Sequence, residues 1–595
     1  MTANQWQLNP TCQADYTQLL ADVVDHGSIP LRGVVHLWLL DTPDPDVLSD
    51  ATLTAAQRVA CGSVVPLVQQ LVQYAGNQTP RLWVVTRDAV PAGQRPTMRG
   101  IAQAPVWGLG KVIALEAPGV WGGLVDLTSD IEAEAGAARL LAELVTSDGE
   151  DLVAWRGDQR YVARLARCQP AVASQVAVSA EHTYLITGGL GGLGLQVAEW
   201  LATHGARYLV LLGRRGVATP AVRAAVERLE AAGTQVVVAQ ADVADREAMR
   251  RLFAEIQTSL PALRGVVHAA GVSGDRELTA LRAEDIERFQ TILDPKVLGT
   301  WVLHELTRHL ALDFFVLFSS IAAVWGAKGQ GYYAAANHFL DAFAHYRRGL
   351  GLPALSVNWG PWAGAGMATD EFRTWIARLG ITALQPAQAV EALGQLLMTG
   401  RTQVAVAQVN WRTFIPVFEI RRRRPLLEAI ADATDRAVHA AAAQPPAPPS
   451  AVVGQLALKQ CPAEERLALI EQHVRDQIGR VLGHSSSESL DIHQSLMELG
   501  LDSLMLIELK NWVEKNLETD VPLALFLEAP SIGQLAIQIL ERLDTTAASH
   551  RPQDELAVAA RNSQKAGELL KNLDQLSNAE VDSLLNTMLH EGRQQ

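Results

Sequence analysis

A strand, a glycine loop and a helix follow one another without a break in Tyr184–Trp200, YLITGGLGGLGLQVAEW, and few folds can hold such a run. Tyr184, Leu185 and Ile186 read as a buried strand. Gly188, Gly189, Gly191, Gly192 and Gly194 read as the turn, and Leu195–Trp200 as the start of a helix. A loop this poor in side chains lets a pyrophosphate approach the backbone, and the helix start offers unpaired N–H groups and the positive end of its dipole. Gly189-x-Gly191-x-x-Gly194 fits the dinucleotide spacing. Glycine turns made only for packing match it too, so the flanking chain must decide.

At 595 residues the chain exceeds one core; the prior is roughly four units of about 150 residues. With 48% apolar and 19% charged residues, most of it should fold. A net charge of −14 argues against a nucleic-acid surface and for a cytoplasmic protein. Cys12, Cys61, Cys168 and Cys461 lie far apart with no metal-ligand spacing, which reads as reduced thiols and no metal site. The start, MTANQWQLNP, has no signal-like pattern, and no run of about 18 apolar residues predicts a membrane span.

Residues 1–175 alternate strand-like runs (Gly33–Leu40, Leu82–Thr86, Gly123–Leu127, Leu152–Trp155) with helical spacing in Thr54–Tyr74 and Glu132–Leu144. This β/α alternation predicts a parallel sheet. It also contains an echo. LRGVVH occurs at Leu31–His36 and again at Leu263–His268, and the next strands end 50 and 51 residues later, at Thr86 and near Ser319. Two matches in one spacing predict a duplicated half. The first copy has no glycine loop and no Tyr-x-x-x-Asn or Tyr-x-x-x-Lys, so it reads as a degenerate, noncatalytic partner that buries one face of the second.

Residues 176–435 form the working half. After the glycine loop comes a second strand, Tyr208–Leu212, ending in Gly213-Arg214-Arg215. An NAD site wants an acidic residue there for the ribose hydroxyls; a guanidinium suits a 2′-phosphate, hence NADPH. Gln235–Ala239 is a third strand running into Ala241-Asp242-Val243, where Asp242 can face an adenine amine. Gly265–Ala269 is a fourth, ending HAAG at Gly271.

Three stretches then supply chemistry. Asp294-Pro295-Lys296-Val297-Leu298-Gly299 puts a lysine on an otherwise apolar helix. Phe315–Ser320 is a strand ending in two hydroxyls. Gly329–Phe339 places Tyr333 and Asn337 one helical turn apart on one face. Reducing a carbonyl needs a proton donor at the developing alkoxide and a second donor to orient the oxygen. A tyrosine suits this when a cation favours its phenolate, and Lys296 is such a cation. Each residue also admits a plain role: Lys296 as a snorkelling side chain, Ser320 as a cap, Tyr333 as core. Together, in one βαβ domain with a glycine loop, they point to catalysis.

An Ala/Pro-rich linker is expected over 436–458, around Gln444–Pro449. Residues 459–545 read as a small helical unit. Glu464–Leu482 and Leu504–Leu517 carry apolar residues at helical spacing, and Ser531 is an N-cap for Ile532–Leu543. Between them, Leu499-Gly500-Leu501-Asp502-Ser503-Leu504 places a hydroxyl near a helix start, by itself no more than a cap. Residues 553–595 hold two short amphipathic segments, the second opened by a capping box at Ser577-x-x-Glu580. They have no core of their own and want a partner.

On these motifs the chain resembles the C-terminal part of a modular type I polyketide synthase: a ketoreductase of the short-chain dehydrogenase/reductase superfamily, an acyl carrier protein and a C-terminal docking segment. The matching runs are TGGLGGLG (Thr187–Gly194), GRR (Gly213–Arg215), ADV (Ala241–Val243), HAAG (His268–Gly271), PKVLG (Pro295–Gly299), FSS (Phe318–Ser320), YAAAN (Tyr333–Asn337) and NWGPW (Asn358–Trp362). The resemblance implies an α/β fold of two Rossmann-like subdomains, the first degenerate (1–175) and the second NADPH-binding (176–435), then a helical-bundle carrier (459–545) and a helical tail. It implies Tyr333 as proton donor, Ser320 polarising the carbonyl, and Lys296 and Asn337 supporting the tyrosine. The cofactor would lie on the five loop glycines with Arg214, Arg215, Asp242 and Val243.

The leucine-rich run resembles the carrier motif whose serine takes 4′-phosphopantetheine, making Ser503 a tether. A family subtype giving the D-hydroxy product carries Leu-Asp-Asp after HAAG-V. Asp275 keeps the last residue of it, and Leu317 stands where the opposite subtype has Trp, so a D product with Asp275 in stereocontrol is implied. The partners implied are an acyl thioester on the carrier, a phosphopantetheinyl transferase, upstream condensing and acyltransferase domains, and a downstream subunit met by the C-terminal helices, with neither nucleic acid nor membrane. Two other readings compete. An acyl carrier with a silent reductase fold is disfavoured by the complete Lys, Ser, Tyr and Asn set. A free short-chain alcohol dehydrogenase is disfavoured by the carrier and the duplicated half.

Overall fold

Short apolar runs bounded by polar or glycine residues fold here as parallel strands buried on both faces, as helix-covered sheets require. The computed structural model describes residues 5–431 except 26–30, 75–79, 95, 97, 147, 169–177, 218, 275, 282–288, 365, 367–369 and 420–421. Beyond these it describes 463–482, 531–549 and scattered residues between 490 and 526. The chain divides into two units, Met1–Pro445 and Pro446–Gln595.

The first unit holds two main sheets. Strands β1 (Gly33–His36), β2 (Arg81–Arg87), β3 (Trp121–Leu127) and β4 (Leu152–Arg156) are parallel neighbours in that order, with β5 (Gln159–Val162) antiparallel at the edge. Helix α1 (Pro105–Glu116) joins β2 to β3. The second sheet contains β6 (Thr183–Thr187), β7 (Tyr208–Gly213), β8 (Gln235–Gln240), β9 (Leu263–His268), β10 (Phe314–Ser320) and β11 (Leu355–Trp359). A two-residue strand, β12 (Ile381–Thr382), pairs elsewhere with β14 (Gln408–Val409), while β13 (Gln403–Val406) closes the edge. Its order is β13-β11-β10-β9-β6-β7-β8. Helices α2 (Gly192–Thr203), α3 (Val297–Thr307) and α4 (Gly331–Gly349) follow β6, precede β10 and follow β10.

The echo has a structural meaning. β1 and β2 pair in parallel, as do β9 and β10, and the series β1-β2-β3-β4 corresponds to β9-β10-β11-β13. What the first sheet lacks is the half containing the glycine loop. The two halves share one core, in which Val106, Leu109 and Ile113 of α1 join Ala335, Phe339 and Phe343 of α4. At Gly108 a Cβ would lie 2.2 Å from the Ala334 carbonyl oxygen, so glycine there lets the two helix backbones meet.

Three local expectations shift. The run expected as a strand to Leu40 stops at His36 and turns into a 3₁₀ segment, Trp38–Asp41. This buries Leu39 and leaves Leu37 and Trp38 partly in water. The helix expected over 54–74 is two, Asp50–Ala60 and Val64–Tyr74. Pro66 has no N–H for the carbonyl of Gly62, and a Cβ at Gly62 would meet the Arg58 carbonyl at 2.6 Å. Taken together, 50–74 is long and apolar enough to cross a bilayer, but 67% of that window is buried in the protein. Finally, α2 starts at Gly192, three residues earlier than expected, so Gly192 and Gly194 belong to its first turn.

In the second unit, helices Ala463–Leu482 and Ile532–Ser549 bury Ile470, Val474 and Ile478 with Leu535, Ala536 and Ile539, joined by Leu496, Leu506, Leu509 and Phe526. Ser531 caps the later helix as expected: its Oγ accepts from Gln534 N at 3.3 Å, and Gln534 Oε1 accepts from Ser531 N at 3.3 Å. The linker 436–458, Ser503 and the tail 553–595 lie outside the described residues.

Candidate active site

In an open parallel sheet, ligands bind beyond the carboxyl ends of the strands where the strand order reverses. Here β6 is flanked by β7 on one side and β9 on the other, so the reversal falls at β6/β9, directly beneath the glycine loop. The glycines divide by role. Gly188 has φ +67°, and a Cβ on it would strike Ala270 N at 2.8 Å. One on Gly189 would meet Ile186 O at 2.7 Å, and one on Gly194 would meet Gly188 O at 2.3 Å. These three let the loop fold tightly against β6 and the end of β9. Gly191 and Gly192 are exposed. Gly191 is the N-cap of α2 and supplies no side-chain cap, leaving the first-turn amides free for an anion. That bare helix start, at the switch point, fits a dinucleotide pyrophosphate.

Arg214 and Arg215 are exposed beyond β7, and the Arg214 carbonyl accepts from Gln240 Nε2 at 3.2 Å. Asp242 Oδ1 accepts from Ala244 N at 3.0 Å, fixing the turn after β8. Val243 is buried where a Cβ on Gly299 would lie 2.8 Å from its Cγ1, which seats the start of α3. Asp275 lies outside the described residues.

Lys296, at the N-cap of α3, is buried. Its Nζ donates to Phe318 O at 2.7 Å, and its Cε would sit 2.7 Å from a Cβ on Gly271. The lysine thus passes the HAAG glycine to reach the end of β10, where Ser320 stands. Ser320 Oγ accepts from Ala322 N at 3.2 Å, ahead of a short helix, Ala322–Trp325, whose N-cap is Ile321 and has no side-chain cap. One turn apart on α4 are Tyr333 and Asn337, whose Nδ2 donates to Tyr333 O at 2.8 Å while its buried Oδ1 has no protein partner.

The sequence led us to expect an ammonium group acidifying the phenol. Instead, burial raises the Tyr333 phenol above its ordinary value, opposed by hydrogen bonding with Ser320 and with Asn337. Lys296 is itself pulled down to about 7 by burial, against the pull of the Asp341 charge. Burial thus favours the neutral form of the phenol.

Sequence reasoning missed what lies behind these residues. Asp341, fully buried on α4, accepts from Ser356 Oγ at 2.6 Å and Asn358 Nδ2 at 2.7 Å. Asn358 Nδ2 also reaches Ser319 Oγ at 2.9 Å and Ser320 O at 3.2 Å, and Ser319 Oγ donates to Asn337 O at 3.1 Å. Burial raises the Asp341 carboxyl to about 6 in spite of those donors. The network fixes the backbone of both Ser320 and Asn337 from beneath. The signal was the spacing Tyr333, Asn337, Asp341, His345 along one helix stripe. Among the described residues no group of His, Cys, Asp or Glu could hold a metal ion.

Three family models match the chain: a polyketide synthase extender module SpnB Rossmann fold domain over residues 5–165, a KR domain over 182–364, and a phosphopantetheine attachment site over 472–539. Erythronolide synthase EryA3 of Saccharopolyspora erythraea is 39% identical over 540 residues, covering 89% of this chain and 16% of that protein. Pikromycin polyketide synthase component PikAIII of Streptomyces venezuelae is 40% identical over 475 residues, 78% of this chain and 30% of that one. The chain thus spans under a third of the length of these relatives. Among solved structures, an A1-type ketoreductase superposes with a TM-score of 0.65 at 38% identity, covering 72% of this chain and 88% of its own. A C2-type ketoreductase from a modular polyketide synthase gives 0.62 at 33%, covering 71% and 90%.

Proposed function

The chain belongs to the modular polyketide synthases, as a ketoreductase followed by a phosphopantetheine carrier domain, and from that premise we propose that it reduces a carrier-tethered β-ketoacyl thioester to the β-hydroxyacyl thioester with NADPH. The observation that carries this is the meeting of Ser320, Tyr333 and Asn337 at the carboxyl end of β10, beside a glycine loop that leaves a helix start bare. When bound, the reduced nicotinamide supplies the hydride. Ser320 and Tyr333 donate hydrogen bonds to the substrate carbonyl oxygen and so favour the negative charge that develops on it. Tyr333 then gives its proton to that oxygen. Asn337 steadies the tyrosine, and Lys296 holds β10 at Phe318 so that Ser320 keeps its place. Arg214, with Arg215 beside it, selects the 2′-phosphate. The test is NADPH oxidation with a β-ketoacyl thioester. Tyr333→Phe should bind NADPH and lose about 10²–10⁴-fold in turnover; a fully active variant would sink the assignment.

The finer steps rest on the sequence. Ser503 takes the phosphopantetheine, and a mass increase after incubation with a phosphopantetheinyl transferase and coenzyme A should disappear in Ser503→Ala. The product is the D-hydroxy thioester, on the strength of Asp275 and Leu317; chiral analysis that returned the L alcohol would reverse this. Segment 553–595 docks a downstream subunit, and condensing and acyltransferase domains act upstream, in the cytoplasm. The working boundaries are 1–175, 176–435, 436–458, 459–545 and 553–595.

A further inference from the structure

The half without a glycine loop reaches into the catalytic half at one point that packing alone does not explain. Glu116, the last residue of α1, is half-buried. Its Oε1 accepts from Gly329 N at 2.8 Å, and its Oε2 accepts from Leu278 N at 2.6 Å. Gly329 lies four residues before Tyr333 in the turn that launches α4, with φ +78°. Leu278 lies in the segment that leaves the end of β9, three residues beyond Asp275. The two loops also touch each other, since a Cβ on Gly331 would lie 2.4 Å from Leu278 Cδ2. Neighbouring residues support the same grip. Gln69 Nε2 donates to Leu278 O at 2.7 Å and to Leu281 O at 2.9 Å. Lys111 Nζ, one turn back on α1, donates to Ala323 O at 2.6 Å, within the segment joining Ser320 to Tyr333.

We infer that Glu116 is a positioning residue for the reductase: one carboxylate, spending one oxygen on each amide, sets the gap between the turn that launches the helix of Tyr333 and the segment that leaves the end of β9. Both bonds are charge-assisted, and a carboxylate is the compact side chain with two acceptors and no donor. Glutamine at this position would hold one amide and turn an NH₂ group toward the other. The consequence falls on geometry at the reacting carbonyl, where a displacement of about 1 Å costs on the order of 10²-fold. The inference rests on the reductase reading above, and the experiment separates the two.

Glu116→Ala and Glu116→Gln are compared with the full chain, each counted by NADPH-binding sites so that only folded protein is scored. In Glu116→Ala the expected result is a turnover about 10- to 100-fold lower, a loss of enantiomeric purity in the hydroxy product and an unchanged NADPH Kd, with Glu116→Gln in between. Amide hydrogen exchange should rise over 276–281 and 327–333 and stay unchanged over β6 and β7. Lys328→Ala is the control. It removes an exposed ion pair between the same loops, Lys328–Glu277 at 2.9 Å, and should alter neither turnover nor purity.

A purely structural Glu116 would lower the melting temperature and leave turnover per binding site, product purity and exchange in the two loops as in the parent; that result overturns the inference. If Glu116→Ala does not fold, Glu116→Gln carries the same readouts. If the parent chain reduces no ketone, the reductase reading fails, while exchange still decides the clamp: unchanged protection in both loops overturns it.

Discussion

The two sheets of the first unit share one hexapeptide, in β1 and in β9, and differ in what stands beyond the strand ends. In the second, the crevice beyond β6, β9 and β10 holds a bare helix start, Ser320 and the Tyr333 phenol. In the first, the matching edge beyond β2, β3 and β4 is filled. Thr86, at the end of β2, donates to Asp126 Oδ1 at 2.5 Å and accepts from the Trp107 indole at 3.0 Å. Arg156 Nη2 lies 2.5 Å from Asp126 Oδ2 and its Nε 3.7 Å from Asp88. Asp126 is fully buried. Where the second half carries the Tyr333 phenol, the first carries the Trp107 indole, which donates to its own Thr86. The comparison teaches that the sheet scaffold is indifferent to catalysis. A strand order and a helix pair are retained, while the first half lacks the glycine-loop strands and holds an ion pair in its crevice.

The comparison breaks most readily at the two strand ends. Ser320→Ala should cut turnover by about 10²–10³-fold, whereas Thr86→Val, one strand end for the other, should leave turnover per folded molecule unchanged; steady-state kinetics on both variants decides it. Next is the plug. Asp126→Ala takes the nearer carboxylate from Arg156 in a largely buried site, leaving only Asp88 beside it, and should cost about 3 kcal/mol of stability, read in denaturant titrations, with NADPH affinity retained in the folded fraction. If the first sheet bound a ligand of its own, opening its crevice would change binding rather than stability alone.

Smaller again is cofactor choice. Arg214→Ala should weaken NADPH by about 10- to 100-fold, the worth of a charge-assisted bond, and change NADH little; fluorescence titration gives both constants. A last effect is one of pH. Burial pulls Lys296 from 10.5 down to about 7. Between those values the unfolded chain binds a proton that the folded chain does not, so this lysine makes stability rise with pH across that window. Lys296→Met should flatten that rise relative to the parent, as urea titrations from pH 7 to pH 10 would show.

Much of this was legible in the sequence because it depends on local pattern. The β/α alternation of residues 1–175 predicted a parallel sheet, the repeated LRGVVH predicted a duplicated half, and the runs from Thr187 to Trp362 carried the family. Boundaries were less legible where a single residue overrides periodicity, as Pro66 does in the first turn of the helix Val64–Tyr74 and Leu39 does beyond the end of β1. The burial of the lysine was not legible for a related reason: a residue type suggests a charge, while the folded core sets how strongly that charge is disfavoured.

Determined by the order of residues alone were the strand–glycine–helix unit, the spacing of Tyr333 and Asn337 and the Ser531 cap in the second unit, because each follows from backbone geometry over a few neighbours. Tertiary structure alone decided that Asp341 underpins Ser320 and Asn337, that Glu116 and Lys111 reach across from the silent half, and that the crevice of the first sheet is closed by Asp126 and Arg156. Those contacts join residues far apart in the chain, and no local pattern records which of them the folded core brings within a hydrogen bond.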